Sequence, residues 1–186
     1  MTVQYVKHKR LLLKSHPDFN ERWVQQQIAA DPSLLGLGEV DVKDQERSQP
    51  RAGRLDMLLF DPATNTRYEV ELQLGSTDES HIIRTIEYWN YERRRYPQYD
   101  HAGVIVAEQI TARFFDVIAL FNGFIPLAIQ LNAIEVAGAT TLVFTTVLDR
   151  MSLGIEEEED RDEPRDSRLL GGQGIEVDAE TDGRAP

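Results

Sequence analysis

Two stretches in which apolar and polar residues alternate, 53–60 and 68–75, organise the chain. Both are rich in Leu, Val, Tyr or Phe, and the intervening Asp61-Pro62-Ala63-Thr64-Asn65-Thr66 consists of turn formers, so the pair reads as a β-hairpin. If Phe60 closes the loop opposite Arg67, counting back along an antiparallel ladder sets Asp56 opposite Glu71. Period 2 then puts Glu69, Glu71 and Gln73 on one face and Val70, Leu72 and Leu74 on the other.

The flanking pattern supplies the remaining elements. Leu11, Leu12 and Leu13 read as a short strand or the start of a packed segment, broken by Ser15-His16-Pro17-Asp18. A helix over 21–30 follows, capped by Asp18 or Asn20, with Trp23, Val24 and Ile28 apolar. A strand is expected around 39–42, and the polar segment 43–51 reads as a mobile loop. After the hairpin, Ser76-Thr77-Asp78 starts a helix that runs to about Tyr96, before Pro97. Its core stripe is Ile82, Ile83, Ile86 and Trp89, whereas Arg84, Glu87, Tyr88, Tyr91 and Arg95 fall on a different face. The continuous apolar run 101–107 suits a strand buried on both sides. Thr111 caps a further helix through Phe121, closed by Asn122-Gly123, and strands are expected at 125–131 and 140–147. The fold class is therefore α/β: a mixed central β-sheet flanked by helices, with a β-α-β crossover after the hairpin.

Chemistry enters where the two strands each place a carboxylate on the same face. Asp56 and Glu71 side by side repel unless a proton or a cation lies between them. An oxygen cluster of that kind suits Mg²⁺ or Mn²⁺. The plain alternative is a half-exposed hairpin whose carboxylates face water; strands usually avoid Asp, and opposed like charges are destabilising.

Asp, a hairpin, then Glu-x-Lys is the signature of the PD-(D/E)XK nuclease superfamily. Leu55-Asp56 with Glu71-Leu72-Gln73 resembles it, with Gln in the lysine place, over roughly residues 18–107. The resemblance implies a restriction-endonuclease-like α-β-β-β-α-β core and metal-dependent hydrolysis of phosphodiester bonds in nucleic acid, DNA in the first instance. Catalytic roles fall on Asp56, Glu71 and Gln73. Mg²⁺ or Mn²⁺ would be held by Asp56, Glu71 and the backbone carbonyl of Leu72. A further carboxylate often comes from the N-terminal helix, here Glu21, with Glu39 the other option; Glu21 equally suits a capping role at the start of its helix. Glutamine carries no charge and moves no proton at neutral pH, so Arg84 is the residue that could supply charge. The same fold without turnover, serving as a binding or regulatory subunit, is the alternative reading, and an unrelated α/β interaction domain is a third.

Basic residues that could meet a phosphate backbone are Arg51 and Arg54, the run Arg93-Arg94-Arg95, and Lys7-His8-Lys9-Arg10. Arg84, Tyr88 and His81 share one helix flank and could reach a phosphate or a base. The expected nucleic-acid contacts are Arg54, Arg84, Tyr88 and Arg95. Three arginines near a helix C-terminus also complement the helix dipole.

Composition changes this picture little. The 186 residues fit one domain over 1–152 plus an appendage over 153–186. The net charge of −12 is concentrated at the end, because residues 156–186 hold 12 acidic and 4 basic residues. That segment is expected to be an acidic, disordered tail, and the mildly acidic body does not exclude a nucleic-acid partner. Cysteine is absent, which excludes disulfides, thiolate metal sites and cysteine nucleophiles. No apolar run spans a bilayer or forms a signal-peptide core, so no membrane partner is expected and the cytoplasm is the default address. A homodimer is a further expectation, since enzymes of this kind often pair to cut two strands.

Overall fold

A computed structural model of the chain describes residues 5–49, 53–121 and 127–149. The hairpin sits near the middle of its sheet, as strands β3 (Gly53–Asp61) and β4 (Thr66–Ser76). Phe60 lies opposite Arg67, the register that the turn residues demand. Val70, Leu72 and Leu74 enter the main core, while Glu69 and Glu71 are buried on the other side of the strand.

Helix α1 (Glu21–Ala30) is capped by Asn20, whose side chain accepts from the Trp23 backbone N–H at 2.9 Å. Strand β2 (Asp41–Gln49) pairs with β3 and forms one edge of the sheet. Here the mobile loop expected over 43–51 is corrected: the segment is strand as far as Gln49. Its polarity misleads because this edge strand is exposed along much of its length, so no clean apolar face is required. A register shift between Val42 and Asp44 and the left-handed Glu46 (φ 51°) further blur its period. Arg51 lies outside the described residues.

After β4 come α2 (Glu79–Arg95), capped by Asp78, then β5 (Asp100–Gln109) and α3 (Ala112–Leu120). Strand β4 runs parallel to β5, and β5 parallel to β6 (Leu127–Val136). The last strand, β7 (Ala139–Leu148), pairs antiparallel with β6, as does the short N-terminal β1 (Lys9–Leu11). Seven strands thus form one mixed sheet in the order β1-β6-β5-β4-β3-β2, with β7 beside β6. Asn122-Gly123, expected to close α3, and the acidic segment 153–186 lie outside the described residues.

The apolar run in β5 divides between the two faces. Val104 and Val106 join the core beneath α1, with Val24, Ile28, Met57 and Leu59. Ile105 faces α2 and α3, packing with Ile82, Ile118 and Ala128. Both faces are therefore covered, which is why the run is continuous rather than alternating. Ile83, expected in the core stripe of α2, is 55% exposed. The helix instead buries His81, Ile82, Thr85, Tyr88, Trp89 and Glu92, rotating a partly polar face toward the sheet. Among the described residues no helix is long and apolar enough to cross a membrane.

Candidate metal centre and active site

The hairpin ladder ends at Met57 opposite Val70, one position before Asp56 and Glu71. Backbone donors freed at such a point need partners, and side chains supply them. Asp56 Oδ2 accepts from the Leu72 N–H at 2.7 Å, and the Asp56 N–H reaches Glu71 Oε1 at 3.4 Å. Two carboxylates from adjacent strands are thereby held at one place. Glu71 is only 1% exposed and Asp56 is half-buried.

Burial pushes the Asp56 carboxyl above the usual aspartate range; the Leu72 N–H opposes this, and the charges of Glu21 and Glu46 add to it. Glu71 is raised further, first by burial and then by the neighbouring Asp56 charge, with Arg84 opposing. Arg84 Nε lies 3.6 Å from Glu71 Oε2, and its side chain is half-exposed. The pair is thus a proton trap in the absence of a cation, offset only partly by one guanidinium.

Asp56 and Arg84 line a cleft of about 410 Å³ together with Glu21, Arg22, Gln25, Glu46, Gly53, Arg54 and Tyr88, and Glu71 is not among its walls. A neighbouring cavity of about 440 Å³ shares Arg22, Gln25, Glu46 and Arg54 as walls. Gly53 adopts φ +91° and sits so close to α2 that a Cβ would lie 3.1 Å from the Tyr88 hydroxyl. Arg54 pairs with Glu46 at 3.4 Å on the rim.

Of the residues singled out in the sequence, Asp56, Glu21, Arg54, Arg84 and Tyr88 meet in this cleft. Glu21 does not close a capping box; its Oε1 accepts from the Leu74 N–H at 3.1 Å and so bridges α1 to β4. Glu39 is exposed and is not among the cleft walls. Gln73 donates from Nε2 to the cap residue Asp78 at 3.0 Å, and its Oε1 is buried without a hydrogen-bond partner among the described residues. Tyr88 is 1% exposed and packs with Leu55 and Leu58, so its ring serves mainly as a wall. Arg95 lies at the opposite end of α2 and takes no part in the cleft.

His81 is fully buried and is correspondingly unable to reach a phosphate or a base. Its Nε2 lies 3.2 Å from the Glu71 carbonyl oxygen. Burial lowers its pKa to about 4, so the neutral ring donates Nε2–H to that carbonyl and steadies the backbone beneath the carboxylate.

Sequence reasoning passed over Gln25, Arg22 and Glu46, whose polar side chains give no periodic signal. It also missed Glu108, a 5%-exposed carboxylate that accepts from the backbone N–H groups of Leu13, Lys14 and Gly75 at 2.6, 3.0 and 2.7 Å. The one available signal was its place at the end of the apolar run in β5.

The donor set fits a hard divalent ion. Among the described residues no group of three or more His, Asp or Glu side chains is placed to hold an ion, and Asp56 with Glu71 makes a pair. Mg²⁺ is commonly bound by one or two carboxylates and keeps several waters, so a pair suffices.

No family model matches the chain, and no curated protein does. Among solved structures, the chain is similar to one described as an EndoMS complex with double-stranded DNA, at 19% identity and a TM-score of 0.46 over 53% of this chain and 41% of that one. It is also similar to a repair endonuclease from Pyrococcus abyssi, at 18% identity and a TM-score of 0.47 over 57% of this chain and 45% of that one. The chain thus spans less than half the length of either protein.

Proposed function

We propose that the protein is a metal-dependent nuclease, hydrolysing phosphodiester bonds of nucleic acid, DNA in the first instance. The observation that carries this reading is the carboxylate pair itself. Asp56 and Glu71 come from adjacent strands, one half-buried and the other nearly inaccessible; burial raises both carboxyls, and the Asp56 charge raises Glu71 further. Each carboxylate accepts from a backbone N–H, but two like charges held together in burial still cost stability unless a proton or a cation joins them.

In this reading Asp56, Glu71 and the carbonyl of Leu72 hold Mg²⁺ or Mn²⁺. Bound there, the ion supplies Lewis acidity toward a phosphate oxygen and acidifies a coordinated water. Arg84 orients the phosphate and offsets its charge from the α2 side, and Arg54 does so from the rim of β3. Glu21 lies on the cleft wall and acts through its charge on the pair. Gln73 has one free acceptor, Oε1, which can orient a water but not remove its proton.

A second reading keeps the fold and the nucleic acid but drops turnover. It is favoured by the Gln73–Asp78 hydrogen bond, which ties the amide to the carboxylate that caps α2. Cleavage of labelled single- and double-stranded DNA and RNA with Mg²⁺ or Mn²⁺ separates the two. The nuclease reading expects cutting by the wild type and none by Asp56→Ala. An inert wild type that gains activity as Gln73→Lys supports the binding reading, and silence from all three proteins removes the nuclease reading.

A further inference from the structure

Beyond the cleft, α2 carries a second cavity near its C-terminal end, of about 290 Å³, lined by Gln49, Tyr91, Arg94 and Arg95. We infer that this cavity is a nucleotide subsite, in which Arg94 and Arg95 take the phosphate, Tyr91 stacks on the base, and Gln49 accepts a base N–H. The inference deepens the reading of the protein as one that acts on nucleic acid.

Three observations converge on it. The arginines are exposed, and among the described residues neither forms an ion pair with a carboxylate. Arg93 lies with its guanidinium 4.5 Å from the centre of the Trp89 ring, and Arg95 more loosely, 5.4 Å from that of Tyr96, contacts that leave the charge of either without an anion. Dipole complementation at the helix end accounts for positive charge there, but not for a cavity beside it, walled mainly by the Tyr91 ring and the alkyl stems of the arginines.

Gln49 supplies the second observation. It is 6% exposed, and its Nε2 donates to Glu92 Oε1 at 2.7 Å. Its Oε1 has no hydrogen-bond partner among the described residues. Leaving a buried acceptor unpaired is costly, and the missing partner must be a donor. A simple anion satisfies the arginines but not this oxygen. A nucleotide offers both a phosphate and base N–H groups, and its flat ring matches the tyrosine wall.

The third is alignment. Arg84, Tyr88, Tyr91 and Arg95 fall at i, i+4, i+7 and i+11, a single stripe along α2. The stripe leads from the cleft, where Arg84 and Tyr88 are walls, to the second cavity, where Tyr91 and Arg95 are. Arg84 and Arg95 are separated by about 16 Å of helix axis, on the order of five phosphate steps along one strand of a duplex. The two cavities therefore lie within the span of one short strand, with buried Tyr88 between them.

The test is binding, measured in EDTA so that cleavage plays no part. The probes are a fluorescently labelled ten-nucleotide single strand, the same strand with abasic positions, and uridine monophosphate. Wild type is compared with Tyr91→Leu, Tyr91→Phe and the pair Arg94→Gln with Arg95→Gln, each first checked for an unchanged melting temperature. The expected loss for Tyr91→Leu on the intact strand is roughly five- to 150-fold, the range for one base–aromatic stack, with Tyr91→Phe retaining affinity. The abasic strand should bind wild type as weakly as Tyr91→Leu binds the intact one. If uridine monophosphate shows the same pattern of losses, the subsite takes free nucleotides; if only the strand does, it is a subsite for a strand. Equal binding of intact and abasic strands, or variants that match wild type on every probe, overturns the inference. Because no metal is present, a protein that binds in this way and never cuts leaves the inference standing while the nuclease reading falls.

Discussion

Replacing Glu71 by glutamine should stabilise the metal-free protein. Glu71 is nearly inaccessible and shares its place with Asp56, and its pKa is raised from 4.5 to about 8. A carboxyl whose folded pKa is raised contributes fully to stability below its unfolded value and loses that contribution as pH rises toward the folded one. Between 4.5 and pH 7 the loss is on the order of 3 kcal/mol. Glutamine fills the same volume and has no proton to lose. The substitution also removes the ion pair with half-exposed Arg84, worth about 0.5 kcal/mol. The balance is a gain on the order of 2–3 kcal/mol at pH 7 in EDTA, or a melting temperature higher by roughly 4–12 °C. At pH 4, where both proteins carry a neutral group, the difference should nearly vanish. Added Mn²⁺ should raise the melting temperature of wild type and leave Glu71→Gln unmoved, since only a protein that binds the ion is stabilised by it. Thermal unfolding by circular dichroism at the two pH values, with and without Mn²⁺, reads all four quantities. A variant less stable than wild type at pH 7 in EDTA would refute the reasoning.

The opposite sign is expected at Glu92. This fully buried carboxylate accepts from Gln49, lies 3.0 Å from Arg47 Nε and 3.6 Å from an Arg67 terminal nitrogen, and ties α2 to β2 and β4. Glu92→Leu leaves the partly buried Arg67 guanidinium without its anion and Arg47 with Asp44 alone, so a loss of about 3 kcal/mol is expected in urea denaturation. Glu69, raised to about 7 by burial against the bond from His101, should make stability fall as pH rises from 4.5 through 7. Glu69→Gln should flatten that part of the stability–pH profile, and an unchanged slope would count against it.

The sheet was legible where one periodicity dominated. The hairpin showed itself because β3 and β4 alternate, and β5 because helices cover both its faces. Strand β2 was hidden because its edge position removes the need for an apolar face, and its order depends on β3 and on Glu92. The carboxylates of Asp56 and Glu71 were readable as a pair through register alone. Their surroundings were not, because Gln25, Glu92 and Glu108 resemble ordinary surface residues until tertiary contacts bury them. Ile83 erred in the other direction: the buried polar face of α2 left an apolar residue toward water, a face anchored by His81 on the Glu71 carbonyl and by Glu92 on Gln49, Arg47 and Arg67.

The most direct test of the metal centre is a crystal structure grown with Mn²⁺, read by anomalous scattering. The expected result is one strong peak between the side chains of Asp56 and Glu71, within ligand distance of the Leu72 carbonyl oxygen, and lost in Asp56→Asn crystals. A peak bound elsewhere, or none at saturating Mn²⁺, would contradict the account.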